Sequence, residues 1–370
     1  HFPGDNGEAL PSRVGVALSG GGDSVALLHL LVTWFQSRGV DVLAATVDHG
    51  LRDDSAQEAE QVAVMAAGLG VDHEILRWEG WDGKGNLQDQ ARRARYQLLG
   101  DWAERRQIPI VALGHTADDQ AETVLMRLAR SAGVDGLAAM PVRRDLNGVT
   151  LLRPLLRVTR SQLRSYLTEN NLTWVEDPSN QDRRFERVRL RQAMRDLEPL
   201  GLTIDSLTAV AENMARAKEA LDHAVLLAGR GLANLVCGAV AFDGKKLQQQ
   251  PDEIIHRLLL GALRWVSGAG YPLRRQIMRE ALETVRNGGG LTLGGCRILS
   301  RRGQVWICRE FNAVRDEVAH PNGLWDRRWQ LTGGPLENGE VRPLGKAGVS
   351  LCPDWRDSGC PREVLEATPS

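Results

Sequence analysis

Val14-Gly-Val-Ala-Leu18, Ser19-Gly-Gly-Gly-Asp-Ser24 and Val25-Ala-Leu-Leu-His-Leu-Leu-Val32 form one continuous stretch. The first run is short, apolar and bounded by polar and glycine residues, as a buried parallel strand is. The last run is long enough for a helix and follows a Ser/Asp start signal. Between them Gly20, Gly21 and Gly22 permit positive φ and let backbone N–H groups approach a ligand closely. Ser19 and Ser24 add hydroxyls, and the helix N-terminus adds partial positive charge. Strand, turn and helix therefore make an anion site, most economically one for phosphate. No lysine follows the glycines, which excludes the Gly-Lys-Ser/Thr loop of kinase-type proteins. Asp23 is placed to hold Mg²⁺ against the phosphates. The bland reading, a glycine turn without a ligand, explains neither the serines nor the helix start.

Outward from this stretch the pattern alternates. Val42–Val47 reads as a second buried strand running into Asp48-His49. A helix from Asp54 or Ser55 to about Leu69, a strand at His73–Arg77 and a glycine-rich loop at Trp78–Gly85 follow. Leu87–Arg106 reads as a helix with Leu87, Ala91, Ala94, Leu98 and Trp102 on one face. Ile108–Leu113 is a fourth strand ending at Gly114-His115, and a helix spans about Asp118–Arg130. Val149–Pro154 closes the region as its last strand, and Thr159–Asn170 reads as a helix. Such alternation predicts an α/β fold, a parallel sheet with helices on both faces. Ligands in these sheets lie beyond the carboxyl ends of the strands. Ser19–Ser24, Asp48-His49 and Gly114-His115 are thereby expected on one edge.

The 370 residues exceed one typical core. Three parts are expected: a catalytic domain over 1–198, a mainly helical substrate domain over 199–319, and a C-terminal module over 320–370. In the second part Leu207, Val210, Met214 and Leu221 are expected core positions of a helix over Asp205–Leu232, and Leu291–Ser300 with Gln304–Arg309 is expected to form a hairpin. The tail is rich in Gly, Pro and Trp and gives little structural signal. Net charge is −1, so whole-molecule charge does not announce nucleic acid. Arg153, Arg157, Arg160, Arg164, Arg183, Arg184, Arg187, Arg189, Arg191 and Arg195 nevertheless make a local basic stripe, readable as a phosphate-backbone contact or as a solvated helix face. The five cysteines, Cys237, Cys296, Cys308, Cys352 and Cys360, show no C-x-x-C spacing, which argues against disulfide or metal frameworks. No signal-peptide pattern and no membrane-length apolar run is present, so a cytoplasmic location is expected.

Gly114-His-Thr-Ala-Asp-Asp-Gln-Ala-Glu-Thr123 carries a second constellation. Asp118 and Glu122 share a helix face, and Asp119 and Glu122 nearly do. Helix capping explains such carboxylates cheaply; a cluster for Mg²⁺ or an ammonium group is the functional alternative. Arg92 and Arg95, three residues apart, can grip a triphosphate or pyrophosphate.

Taken together, Ser19–Ser24, Val47-Asp-His-Gly-Leu-Arg52, Ala91-Arg-x-x-Arg-Tyr96, Gly114–Thr123 and Glu176-Asp-Pro-Ser-Asn180 resemble the tRNA(Ile)-lysidine synthetases, whose phosphate loop is of the pyrophosphatase type. The resemblance covers roughly the first two hundred residues; Val341–Gly345 resembles the start of the family's C-terminal module. It implies an ATP-dependent reaction in which the wobble cytidine of an isoleucine tRNA with a CAU anticodon is adenylated and then attacked by L-lysine. The implied catalytic residues are Asp23, Arg95, His115, Asp119 and Glu122. Ser19, Gly20, Gly21, Gly22, Asp23, Ser24, Asp48, His49, Arg92 and Gly114 are the implied nucleotide contacts, with Mg²⁺ on Asp23. Arg183–Arg195 is the expected tRNA contact. The oligomeric state stays open, a homodimer included.

Two competing activities and one without catalysis are weaker. A tRNA thiolase generally needs reactive cysteines, and none precedes Cys237. An amidotransferase needs a glutaminase nucleophile, and a non-catalytic nucleotide module has no use for Asp118–Glu122.

Overall fold

The computed structural model describes residues 9–50, 55–79, 81, 85–175, 186–268, 275–330 and 339–370. It forms two compact units, residues 1–218 and 219–370. In the first unit the chain alternates β1 (Arg13–Ala17), α1 (Gly22–Phe35), β2 (Asp41–Asp48), α2 (Ser55–Gly68), β3 (Asp72–Arg77), α3 (Leu87–Arg105), β4 (Ile110–Leu113) and α4 (Ala117–Ala129). A short α5 (Val134–Leu137), β5 (Arg143–Leu146), β6 (Val149–Leu152), α6 (Arg160–Glu169) and α7 (Glu186–Leu197) follow, and α8 (Ile204–Leu232) runs across the division after residue 218. The sheet order is β3-β2-β1-β4-β6-β5. All neighbours are parallel except β5, which runs antiparallel to β6.

Strand periodicity sorts the core into two layers. Val14, Val16, Ala44, Ala112 and Leu152 pack with α1, α2 and α6 on one face. Ala17, Leu43, Ala45, Val111, Leu113 and Leu151 pack against Leu99, Trp102 and Ala103 of α3 on the other. The expected α/β sheet with helices on both faces is therefore present.

Three details differ from the sequence reading. The buried face of α3 is Leu99, Trp102 and Ala103, not the stripe that began at Leu87, because Trp102 fills the space over Gly15. Strand β5 was not expected; Asn147 and Gly148, at φ 52° and 90°, make the two-residue turn that folds it onto β6. Val210 of α8 is 38% exposed, whereas Leu207 is buried.

The second unit contains a five-stranded antiparallel sheet of order β7-β8-β11-β10-β9. Its elements are β7 (Ala233–Val236), β8 (Ala239–Asp243), α9 (Gly244–Gln248), α10 (Asp252–Ser267), α11 (Arg275–Arg286), β9 (Leu291–Leu293), β10 (Cys296–Arg301) and β11 (Gln304–Arg309). The hairpin between β10 and β11 forms with Arg301 opposite Gln304. Its first arm, expected as one strand from Leu291, is two strands, because Gly294 and Gly295 at φ 56° and 71° turn the chain back. Helices α10 and α11 cover one face of this sheet. The tail holds more structure than its composition suggested: α12 (Phe311–Val314), the β12–β13 pair (Leu324–Trp325 and Trp329–Gln330), α13 (Gly345–Leu351) and α14 (Arg362–Leu365). Trp325, Val341 and Ala367 share a small core there. Among the described residues no helix is long and apolar enough to cross a membrane.

Candidate active site

Parallel register fixes where the strand exits lie. Ala17 pairs with Ala45 of β2 and with Leu113 of β4. The segments after these residues, Ser19–Ser24, Asp48-His49 and Gly114-His115, accordingly leave the same edge of the sheet.

The phosphate loop is tied at several points. Gly20 has φ +80°, and a Cβ there would lie 2.6 Å from Val62 Cγ2. Gly21 caps α1 with extended backbone, and Gly22 already begins the helix. Only Gly20 therefore uses the left-handed freedom expected of all three glycines. Ser24 Oγ accepts from Ser19 N at 3.1 Å and donates to Gly21 O at 2.9 Å. Its hydroxyl fixes the loop from inside. Gly114 lets β4 approach the loop: a Cβ there would sit 3.1 Å from Ser24 N.

Beside the loop, α4 begins with a capping box, Thr116 exchanging bonds with Asp119. Asp119 Oδ2 accepts from Thr116 N at 2.9 Å and from Thr116 Oγ1 at 3.0 Å. Capping thus accounts for one oxygen of Asp119. The other faces Arg160, whose Nη2 lies 2.5 Å from Asp119 Oδ1. The same guanidinium donates to Glu122 Oε1 at 2.9 Å and reaches Asp23 Oδ2 at 3.3 Å. Arg160 N donates to Asp118 Oδ2 at 2.8 Å. Arg191 Nε adds a bond of 2.7 Å to Glu122 Oε1.

The structure therefore brings Asp23, Asp119 and Glu122 together around one side chain that the sequence reading had placed in a basic surface stripe. Part of the stripe turns away from solvent or takes acidic partners, while Arg164, Arg189 and Arg195 stay exposed. Arg153 is 2% exposed. Arg157 pairs with Glu212, and Arg160 and Arg191 turn into the acidic cluster. The spacing of Thr159, the α6 cap, with Gln162 signalled a helix start directly after Val158. That start is what delivers Arg160 to the sheet edge. Arg183–Phe185 and Glu176–Asn180 lie outside the described residues, as do Leu51–Asp54.

Electrostatics follow the burial. Desolvation raises the Asp23 carboxyl above its ordinary range, and Arg160 pulls it partly back. Burial opposes the Arg160 charge, yet Asp119 and Glu122 outweigh it and hold the guanidinium firmly protonated. On the far side of the loop Asp48 Oδ1 accepts from Gly50 N at 2.9 Å. The His49 ring meets Trp78 edge-on at 5.8 Å. Burial, then the charge of Arg95, lowers the His49 pKa and keeps its imidazole neutral. Arg95 thus acts on His49, while Arg92 lies over the Tyr96 ring at 5.3 Å. His115 N donates to Leu113 O at 2.9 Å and holds the β4 exit next to α4.

Among the described residues no three His, Cys, Asp or Glu side chains are placed to share a metal ion; Asp23, Asp119 and Glu122 meet on Arg160 instead. Mg²⁺ asks for less: one or two carboxylates, with phosphate and water supplying the remaining oxygens. Asp23, at the loop and within a three-carboxylate cluster, fits that donor set.

An anion loop, an ionic cluster of three carboxylates and a helix start aimed at the same edge can hold a triphosphate and a cationic amine side by side. Residues 6–198 match the PP-loop domain family. A tRNA(Ile)-lysidine synthase of Ruegeria pomeroyi is 53% identical over 97% of this chain and 86% of its own length. One from the Wolbachia pipientis strain wMel is 34% identical, again over 97% of this chain and 86% of its own length. A Bradyrhizobium protein of the same name is 40% identical over 76% of this chain and 81% of its own. With the loop, the acidic helix start and these similarities in agreement, the chain belongs to the tRNA(Ile)-lysidine synthase family.

Proposed function

We propose that this enzyme uses ATP to ligate L-lysine to the wobble cytidine of an isoleucine tRNA, giving lysidine, AMP and pyrophosphate. The observation that carries this reading is the convergence of Asp23, Asp119 and Glu122 on Arg160 beside the phosphate loop. An amine-binding cluster next to a phosphate cradle is what ligation of an amino acid through an adenylate requires.

In the first step the cytosine O2 attacks the α-phosphorus of ATP. The new O–P bond forms as the bond to the β-phosphate oxygen breaks. Negative charge then builds on the α-phosphate and the departing pyrophosphate. Backbone N–H groups of Gly20–Gly22 and the Ser19 hydroxyl stabilise it, with Arg95 as the cationic partner. Asp23 would hold Mg²⁺, which supplies charge neutralisation when bound. Asp48, His49 and Gly114 line the nucleotide edge, and His115 orients the phosphate. In the second step the lysine ε-nitrogen attacks C2 of the adenylated base, and the C2–O bond breaks to release AMP. Asp119 and Glu122 bind the ε-ammonium, and one of them takes its proton before attack.

The base must leave its stack to reach this edge. The CAU anticodon is the expected target, and residues 199–370 are assigned to handling tRNA, those from 320 as a C-terminal module. A homodimer is compatible with this scheme.

The test is incorporation of labelled lysine with ATP, using a CAU-anticodon isoleucine tRNA or initiator tRNA. Label in the isoleucine tRNA alone supports the reading, and no label in either refutes it. Glu122→Gln should bind ATP normally and make no lysidine.

A further inference from the structure

A second cluster of charge lies on the α3 face, away from the acidic site. Arg92 lies over the Tyr96 ring at 5.3 Å and Arg144 of β5 at 5.4 Å. Arg153, at the exit of β6, is 2% exposed and its charge acts on the Tyr96 phenol. Its Nη1 donates to Pro141 O at 2.9 Å, and its Nε has no partner among the described residues. Arg127 stands near enough to feel the Arg92 charge, and donates to the carbonyls of Gly136 and Ala139. Among the described residues none of these four guanidiniums meets a carboxylate. A buried arginine without a counter-charge is costly, and the three cations round the Tyr96 phenol repel one another. Such an arrangement is stable when an anion completes it.

We infer that Arg92 and Arg144, spaced by Tyr96 and with the charge of Arg153 buried behind them, bind a backbone phosphate of the tRNA as its wobble base enters the site. This rests on the lysidine reading above. The sheet order separates the cluster from the nucleotide: β6 is two places from β1, about 10 Å at the usual strand spacing. The pyrophosphate end of ATP already has its cradle at Ser19–Ser24. Arg92 and Arg144 are exposed, so a large polyanion can reach them. The Tyr96 ring already carries two guanidiniums, which makes it a spacer for them rather than a platform for a base.

The test compares the full chain with Arg144→Gln in tRNA(Ile) binding across a salt series, and in ATP and pyrophosphate binding by equilibrium dialysis. Arg38→Gln is the control, since Arg38 is an exposed cation just before β2, at the amino edge of the sheet. Arg144→Gln should weaken tRNA about fivefold at moderate salt and flatten the log–log salt slope by about 0.7–0.9, the loss of one phosphate contact. ATP and pyrophosphate affinity should not change. Three outcomes overturn the inference: unchanged tRNA affinity, loss of nucleotide or pyrophosphate affinity instead, or an equal loss in Arg38→Gln. Binding is read without turnover, so its failure is distinct from failure to form lysidine.

Discussion

Arg160 Nη1 and Glu122 Oε1 lie 2.9 Å apart, with Glu122 wholly buried. The oxygen that should receive a lysine ammonium is therefore occupied by a guanidinium of the chain itself. Arg160 is held equally by Asp119 and reached by Asp23. With Arg191 beside Glu122 it partly neutralises three carboxylates that would otherwise repel one another.

That neutralisation makes the first prediction. Removing one partner of a buried ion pair costs about 3–5 kcal/mol, because the remaining charge is left uncompensated. Arg160→Ala should lower Tm by several degrees, measured by calorimetry. Free lysine at millimolar concentration should then raise Tm more in the variant than in the parent, since its ammonium finds the vacated carboxylates. An equal lysine response in both proteins would show that the substrate ammonium binds elsewhere.

Gly114 supports a second prediction. A Cβ at this position would lie 3.1 Å from Ser24 N, so its absence is what allows the close approach of the β4 exit. Gly114→Ala should push the strand exit against the start of α1 and distort the loop. Overpacking of this kind costs about 1–3 kcal/mol. ATP affinity should fall by an order of magnitude or so, roughly 1.4 kcal/mol, while circular dichroism stays that of the parent. Unaltered ATP binding would detach Gly114 from the nucleotide edge.

Much of this geometry was legible in the sequence because it rests on local signals. Short, continuous apolar runs placed the strands, and parallel order brought Ser19, His49 and His115 to one edge. Capping by the carboxylates after Thr116 was legible as one of two readings, and Asn147-Gly148 carries a hairpin-turn signal that the surrounding helix–strand alternation masks. Arg160 and Arg191 were not readable. Their side chains take partners 38 and 69 residues away in sequence. Charge spacing alone gives such an arginine the look of a surface stripe, and only the docking of α6 and α7 on the start of α4 turns it inward.

His49 offers a pH experiment. Burial and the Arg95 charge both disfavour its imidazolium, so its folded pKa lies below the unfolded value. A histidine depressed in this way contributes stability above its unfolded pKa and loses it as pH falls through that value toward the folded one. Arg95→Gln removes one cause and should move the His49 titration upward, read from its ring resonances by NMR. A downward or absent shift would mean that Arg95 does not face the histidine.

The second unit carries its own ionic lock, and with it the last prediction. Arg309 Nε lies 2.9 Å from Asp326 Oδ2, and its Nη2 lies 2.9 Å from Asp326 Oδ1. Asp326 is 9% exposed and has φ 47°, a conformation Asp tolerates better than most residues. Arg328 lies 3.5 Å away and shares the carboxylate. Asp326→Asn keeps the shape but removes the charge between two arginines, leaving both half-buried and facing each other. The expected loss is about 3 kcal/mol in urea unfolding of the full chain. Arg309→Met removes the opposite charge and some of the repulsion, so the double variant should be more stable than the sum of the two single losses requires. Strict additivity would mean that the two side chains act independently, and that the tail is held by the Trp325 core alone.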